Sequence, residues 1–105
     1  MPTLILGPNQ NVPVTFKSGK RGAAEIYIEA SGPVTVYVTT AAGRQAFLKR
    51  KTITPVYATA RDVEVFEERV RLPPNTECLL LIVNYDTGTD LDDARAIYHR
   101  VSLGK

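Results

Sequence analysis

The sequence predicts an all-β fold: a two-sheet antiparallel β-sandwich of the jelly-roll kind, with about seven or eight strands and one short helix. Three observations predict it. Val70-Arg71-Leu72 is an alternating strand that runs into the turn Pro73-Pro74-Asn75. Cys78-Leu79-Leu80-Leu81-Ile82-Val83 follows as a continuous apolar run that wants cover on both faces. Short period-two segments punctuated by Gly, Pro and Asn recur along the rest of the chain, and such strands bury their apolar faces by stacking on a second layer or curling into a partly open barrel.

Taken in order, Thr3-Leu4-Ile5-Leu6 reads as a first strand stopped by Gly7-Pro8-Asn9. Val12-Pro13-Val14-Thr15-Phe16 is a second, whose proline suits a sheet edge. After a turn at Ser18-Gly19-Lys20-Arg21-Gly22, the residues Ala24, Ile26, Ile28 and Ala30 alternate with Glu25, Tyr27 and Glu29. Ser31-Gly32-Pro33 then reads as a hairpin turn into Val34, Val36 and Val38, which alternate with Thr35, Tyr37 and Thr39. Thr40 caps a helix through Arg50, anchored by Phe47 and Leu48 and weakened by Gly43. Pro55 stops it, and Val56 to Ala60 fits an edge strand or a loop. Val63 and Val65 lie in one phase and Phe66, Val70 and Leu72 in the other, which predicts a bulge near Phe66 to Glu68. Beyond the apolar strand and the polar stretch from Asp86 to Asp93, a last strand from Ala94 to Leu103 carries Ile97, Val101 and Leu103 in one phase.

The 105 residues suffice for one hydrophobic core, so the expectation is a single domain over 1–105. Thirteen Lys and Arg against eleven Asp and Glu leave a net charge of only +2, scattered along the chain. Nucleic acid is therefore not the expected partner. Cys78 is the lone cysteine, which excludes an internal disulfide and suits a reducing, cytoplasmic setting. The N-terminal stretch has no basic and apolar leader pattern, and no apolar run approaches the ~20 residues of a membrane helix, so no membrane association is expected.

Chemistry-bearing residues are sparse. Cys78 and His99 are each unique, and each shares a phase with apolar neighbours, which reads as structural burial and not as a nucleophile and its base. Asp86, Asp90, Asp92 and Asp93 offer oxygen ligands around Gly88, but their spacing matches no EF-hand loop; a solvated loop with Asx turns is the expectation, and no metal or cofactor is assigned. Ser18-Gly19-Lys20 lacks the upstream glycine of a phosphate loop. Arg44, Lys49, Arg50 and Lys51 form the strongest basic cluster, a solvated helix face or a contact for an acidic or phosphate group.

The segments Val34-Thr35-Val36-Tyr37-Val38, Phe47-Leu48-Lys49, Val70-Arg71-Leu72-Pro73-Pro74-Asn75 and Leu81-Ile82-Val83-Asn84-Tyr85-Asp86, in that order, resemble the GOLD (Golgi-dynamics) β-sandwich and its prokaryotic relatives. The resemblance covers roughly Val34 to Leu103 and implies a non-catalytic module for protein or cargo interaction. The single cysteine and the missing leader depart from secretory members and point to an intracellular, microbial relative.

The apolar strand poses the functional question. One of its faces meets the core, and the other lies under the helix, under residues 53–60, or against another chain. If another chain covers it, a partner-binding or self-association face is expected from Tyr27, Tyr37, Leu80, Ile82 and Tyr98, since tyrosines bury a large ring yet keep a hydroxyl at the rim. The sequence thus predicts a non-enzymatic protein-interaction or assembly module, possible as a recognition domain beside an effector. A structural phage or shell protein forming a symmetric oligomer is one alternative, and a sandwich binding carbohydrate or a small ligand in a concave tyrosine cluster is the other.

Overall fold

The computed structural model describes residues 3–85 and 94–103. Six strands and one helix occur among them: β1 (Thr3–Leu6), β2 (Asn11–Lys17), β3 (Ala23–Thr39), α1 (Ala41–Leu48), β4 (Ala58–Arg71), β5 (Glu77–Val83) and β6 (Arg95–Ser102). Every strand pair is antiparallel, and hydrogen bonding links all six into one nearly closed sheet in the order β1-β6-β3-β5-β2, with β4 on the remaining edge of β3.

The organising element is β3, which carries three partners. Along one edge it pairs with β4 over nearly its whole length; along the other, residues 25–30 pair with β6 and residues 35–39 with β5. The expected hairpin at Ser31-Gly32-Pro33 does not form. Instead the chain stays extended, and the β3–β4 register slips between Glu29 and Val34 and again between Val34 and Val36. These irregularities bend the strand pair without reversing it, because an extra residue opposite a regular partner kinks and twists the ladder locally. The missing reversal merges two expected strands into β3, and residues 58–60 of the expected Val56 to Ala60 segment run directly into β4, which explains why six strands stand where about seven or eight were expected. The bulge expected near Phe66 to Glu68 is likewise displaced: the register is continuous there, and the phase change lies around Asp62, whose φ is 54°.

Inward residues keep even numbers throughout β3, so Ala24, Ile26, Ile28, Val34, Val36 and Val38 share one core with Phe66, Val70, Leu80, Ile82 and Ile97. Burying side chains of this size is worth roughly 1.5–3 kcal/mol each.

The sheet curls where residues 17–22 run beside residues 72–77 and both connections cross from the β3–β4 ladder to the β2–β5 ladder. Ser18 N donates to the Thr76 carbonyl at 2.8 Å, Thr76 N donates to Ser18 Oγ at 2.9 Å, and the same hydroxyl donates to the Pro73 carbonyl. Leu72 N donates to the Gly22 carbonyl at 2.7 Å. The Pro-Pro-Asn turn therefore has the Pro73 carbonyl and the Asn75 N–H answered from the exit of β2, while the Pro74 carbonyl accepts from the Thr76 hydroxyl within the turn segment.

Gly22 has a φ of 63°, and a Cβ built there would meet the Leu72 carbonyl oxygen. Gly22→Ala is expected to destabilise the protein by about 1–3 kcal/mol in urea unfolding, since left-handed backbone and a backbone clash act together. An unchanged midpoint would show that this crossing does not close the sheet.

Candidate functional site

Leu79, Leu81 and Val83 point away from the main core, and Thr39, Tyr37 and Thr35 stand opposite them on β3. This outer face is covered by Phe47 and Ile53 of the same chain, which pack on the three aliphatic residues. The helix can reach the sheet because its contact residue is a glycine: Gly43 is buried, and a Cβ there would collide with the Thr39 side chain. Thr40 caps the helix by accepting from Gly43 N at 3.3 Å. The Thr39 hydroxyl donates to the Pro55 carbonyl, and Tyr57 N donates to the Val38 carbonyl at 2.8 Å, which ties the returning segment to β3.

Between this cover and the outer surface of β3 and β4 lies an open groove of about 1030 Å³. Its floor is aromatic. The ring centroids of Tyr37 and Phe47 are 6.4 Å apart and those of Phe47 and Tyr85 6.5 Å, while the hydroxyls of Tyr37 and Tyr85 lie 3.3 Å from one another. Leu48, Val56 and Tyr85 leave apolar surface in solvent, at 48%, 40% and 52% exposure. Arg50, Lys51 and Arg61 supply three cations, and no carboxylate stands among the lining residues that the structure describes. Burial first, and then the hydrogen bond with Tyr37, pushes the Tyr85 hydroxyl from 10.0 up to about 12, against a smaller opposing pull from Arg61.

Arg50 is the outlier of the site. Among the described residues four non-glycine residues have positive φ, and three of them, Asn9, Asp62 and Asn75, are of the types that tolerate it. Arg50, at a φ of 58°, stands just past the end of α1, where glycine is the usual residue. Lys51 N donates to the Ala46 carbonyl at 2.8 Å across this turn. A long cationic side chain is held there in a left-handed backbone that costs on the order of 1–2 kcal/mol, and it lines the groove.

The residues singled out from sequence do not form one surface. Leu80 and Ile82 are each 0% exposed and belong to the inner core, so their assignment to a partner face is corrected: the outward phase is that of Leu79, Leu81 and Val83. Tyr27 and Tyr98 do meet, edge to face at 6.0 Å, on the half of β3 that pairs with β6, and Arg100 stacks over Tyr27 at 5.8 Å. Tyr37 lies on the other half, in the groove. The basic cluster divides as well. Arg50 and Lys51 line the groove, Lys49 is exposed, and Arg44 is half-buried with its Nε lacking a hydrogen-bond partner among the described residues. Arg61 and Tyr85 join the site without having been singled out; Arg61 stands early on β4, shortly after the basic cluster, whereas Tyr85 is distant in sequence and is brought in by the pairing of β3 with β5.

Cys78 pairs opposite Phe16 and His99 opposite Ile28, on different strand pairs. Burial pushes the Cys78 thiol up, the reverse of what activates a nucleophile. Asp86, Asp90, Asp92 and Asp93 lie outside the described residues. Among the described residues no helix is long and apolar enough to cross a membrane. The chain matches no protein-family model, and no curated protein matches it significantly.

Helix propensity alone favours Gly43→Ala by about 1 kcal/mol, yet the collision with Thr39 reverses the sign. The substitution is expected to cost about 1–3 kcal/mol in thermal or urea unfolding, and a gain would show that the helix does not sit this close to β3. Tyr37→Phe removes one of the causes that hold Tyr85 neutral, so a tyrosinate absorbance titration should move the latest-ionising tyrosine downward from about 12. Because the folded value is raised, the associated stability is complete below pH 10.0 and is lost as pH climbs through about 12. An unshifted titration in the variant would refute the hydroxyl pair.

Proposed function

We propose that this chain is a non-enzymatic recognition module that binds a partner protein in the groove between α1 and the outer surface of the sheet. The observation that carries the reading is the composition of that groove: an aromatic floor, exposed aliphatic walls and a cluster of cations, contributed jointly by α1, the segment that follows it, and strands β3 and β4. Interfaces favour aromatic residues and arginine at their centres, where large side chains fill pockets at low entropic cost. The two-layer reading of the curled sheet and kinship with intracellular, prokaryotic GOLD-type modules belong to the same proposal, and the continuous β3 from Ala23 to Thr39 is what supports a layered arrangement.

Edge chemistry supports a recognition module over a shell protein assembled by strand pairing. Pro13 sits on β2, which pairs only with β5, and Glu68 occupies an inward-phase position opposite Ile26 on β4, which pairs only with β3 among the described residues. A proline and an inward-phase charge both oppose edge-to-edge growth. One observation favours a second reading, a small-ligand site: the groove is concave and carries two neighbouring tyrosine hydroxyls. Its volume, about 1030 Å³, and its open form suit a polypeptide segment better than an enclosed small molecule.

A photo-crosslinking residue placed at Val56 on the groove rim, and separately at the exposed Val65, which pairs with Glu29 on the other half of β3 outside the groove, tests the reading in the native host. Discrete protein adducts from position 56, absent from position 65 and lost on adding Tyr85→Ala, are expected. Equal adducts from both positions, or adducts indifferent to Tyr85→Ala, would refute the groove as the binding site.

A further inference from the structure

The groove carries more information than its existence, and its occupant can be narrowed by chemistry. Arg50, Lys51 and Arg61 line it together, although the chain as a whole is nearly neutral at +2. Such local concentration of one sign on a neutral protein selects an anionic partner by steering and by excluding cationic ones. Arg50 strengthens the point. A glycine would relieve the left-handed backbone at that position, so the guanidinium stands in the groove wall at a conformational cost to the fold.

The apolar walls decide between anions. A single-stranded nucleic acid needs open ring faces on which bases stack. Here Phe47 is edge-on to Tyr85 and tilted against Tyr37, the tyrosine hydroxyls face each other, and the exposed apolar surface includes the aliphatic Leu48 and Val56. That surface fits a branched or aromatic side chain of a peptide. Tyr85, Leu48 and Val56 form a site for one such anchor, with cations beside it for flanking carboxylates.

We infer that the groove binds an extended acidic protein segment with a large apolar anchor residue, its carboxylates meeting Arg50, Lys51 and Arg61. This rests on the reading of the groove as a protein-binding site and names the class of partner.

Fluorescence anisotropy on the intact chain tests it with pooled labelled peptides in which Asp or Glu alternates with Leu, Ile or Phe. Controls are the same peptides with Asn and Gln in place of the acids, peptides of Asp and Glu with Ser in place of the apolar residues, and labelled oligo(dT). The acidic-apolar pool is expected to bind saturably and each control at least about tenfold more weakly, as the loss of one desolvated anchor or of close charge pairs predicts. Arg50→Gly separates binding from folding: its unfolding midpoint should be unchanged or raised, while its affinity for the pool falls by about tenfold. Arg61→Glu should weaken binding at least as much. No saturable binding of the pool, tighter binding of oligo(dT), equal binding of the neutral peptides, or wild-type affinity in Arg50→Gly would each overturn the inference. If any of these occurs while position-specific protein adducts persist at Val56, the acidic occupant is wrong and the groove remains; if the adducts fail as well, the groove itself is wrong.

Discussion

The structure depends on a strand that is apolar on both sides. In β5, Leu80 and Ile82 face the main core and Leu79, Leu81 and Val83 face outward, and all are buried. A sheet covers one side of such a strand as a matter of course, but the other side must be supplied with cover by a separate element. Helix α1 and residues 49–57 are that element, inserted between the two long paired strands β3 and β4. Because the insertion lands over β5 and stops short of β4, it leaves the outer residues Tyr37, Thr59 and Arg61 along one side of a groove, with Phe47, Arg50 and Lys51 on the other. The candidate site is thus a by-product of burying one apolar face.

Two backbone features along β3 make this arrangement possible. Near its middle, the register slips around Ala30 to Val36 turn a long strand pair through a bend, so that β6 and β5 can share one edge of the same strand. Near its start, the paired crossings clamped by Ser18, Gly22 and Thr76 carry the chain from one ladder to the other. At the far end of the chain, Asn84 is fully buried and its side-chain amide donates to the Leu6 carbonyl at 3.2 Å, which fastens β1 to the end of β5. Each is a polar or conformational device at a place where the hydrophobic pattern alone would allow several closures of the sheet.

Much of this was legible in the residues. The alternation in Ala24 to Ala30 and Val34 to Val38, the edge proline of β2, the Thr40 cap and the two-sided apolar strand all have local causes that a sequence displays. The Ser31-Gly32-Pro33 segment was misleading because a Gly-Pro pair that makes a turn in one context makes a bulge in another, and the pairing partners on each edge decide which. Which phase of β5 faced out was not legible, since Leu and Ile fill both. The groove was half legible: Arg50, Lys51, Phe47 and Tyr37 were marked as separate features, but Tyr85 reaches it only through the pairing of β5 with β3, which depends on contacts distant in sequence, and Arg61 only through the side on which β4 presents it.

The functional proposal draws on the same geometry. Strand β3, helix α1 and the exit of β5 each contribute one ring to the aromatic floor, a helix end holds a cation in a backbone conformation that glycine would adopt more easily, and the thiol and imidazole that a catalytic reading would need stay on separate strand pairs. All of this presupposes that the cover over β5 comes from the same chain. An isotope-filtered nuclear Overhauser experiment on a mixture of labelled and unlabelled protein measures that directly, through contacts between the Phe47 ring and the methyl groups of Leu79, Leu81 and Val83. The account predicts strong contacts within one chain and none between chains. Contacts found only between labelled and unlabelled molecules, or none at all, would contradict it, because the outer face of β5 would then be covered by a second copy or left bare.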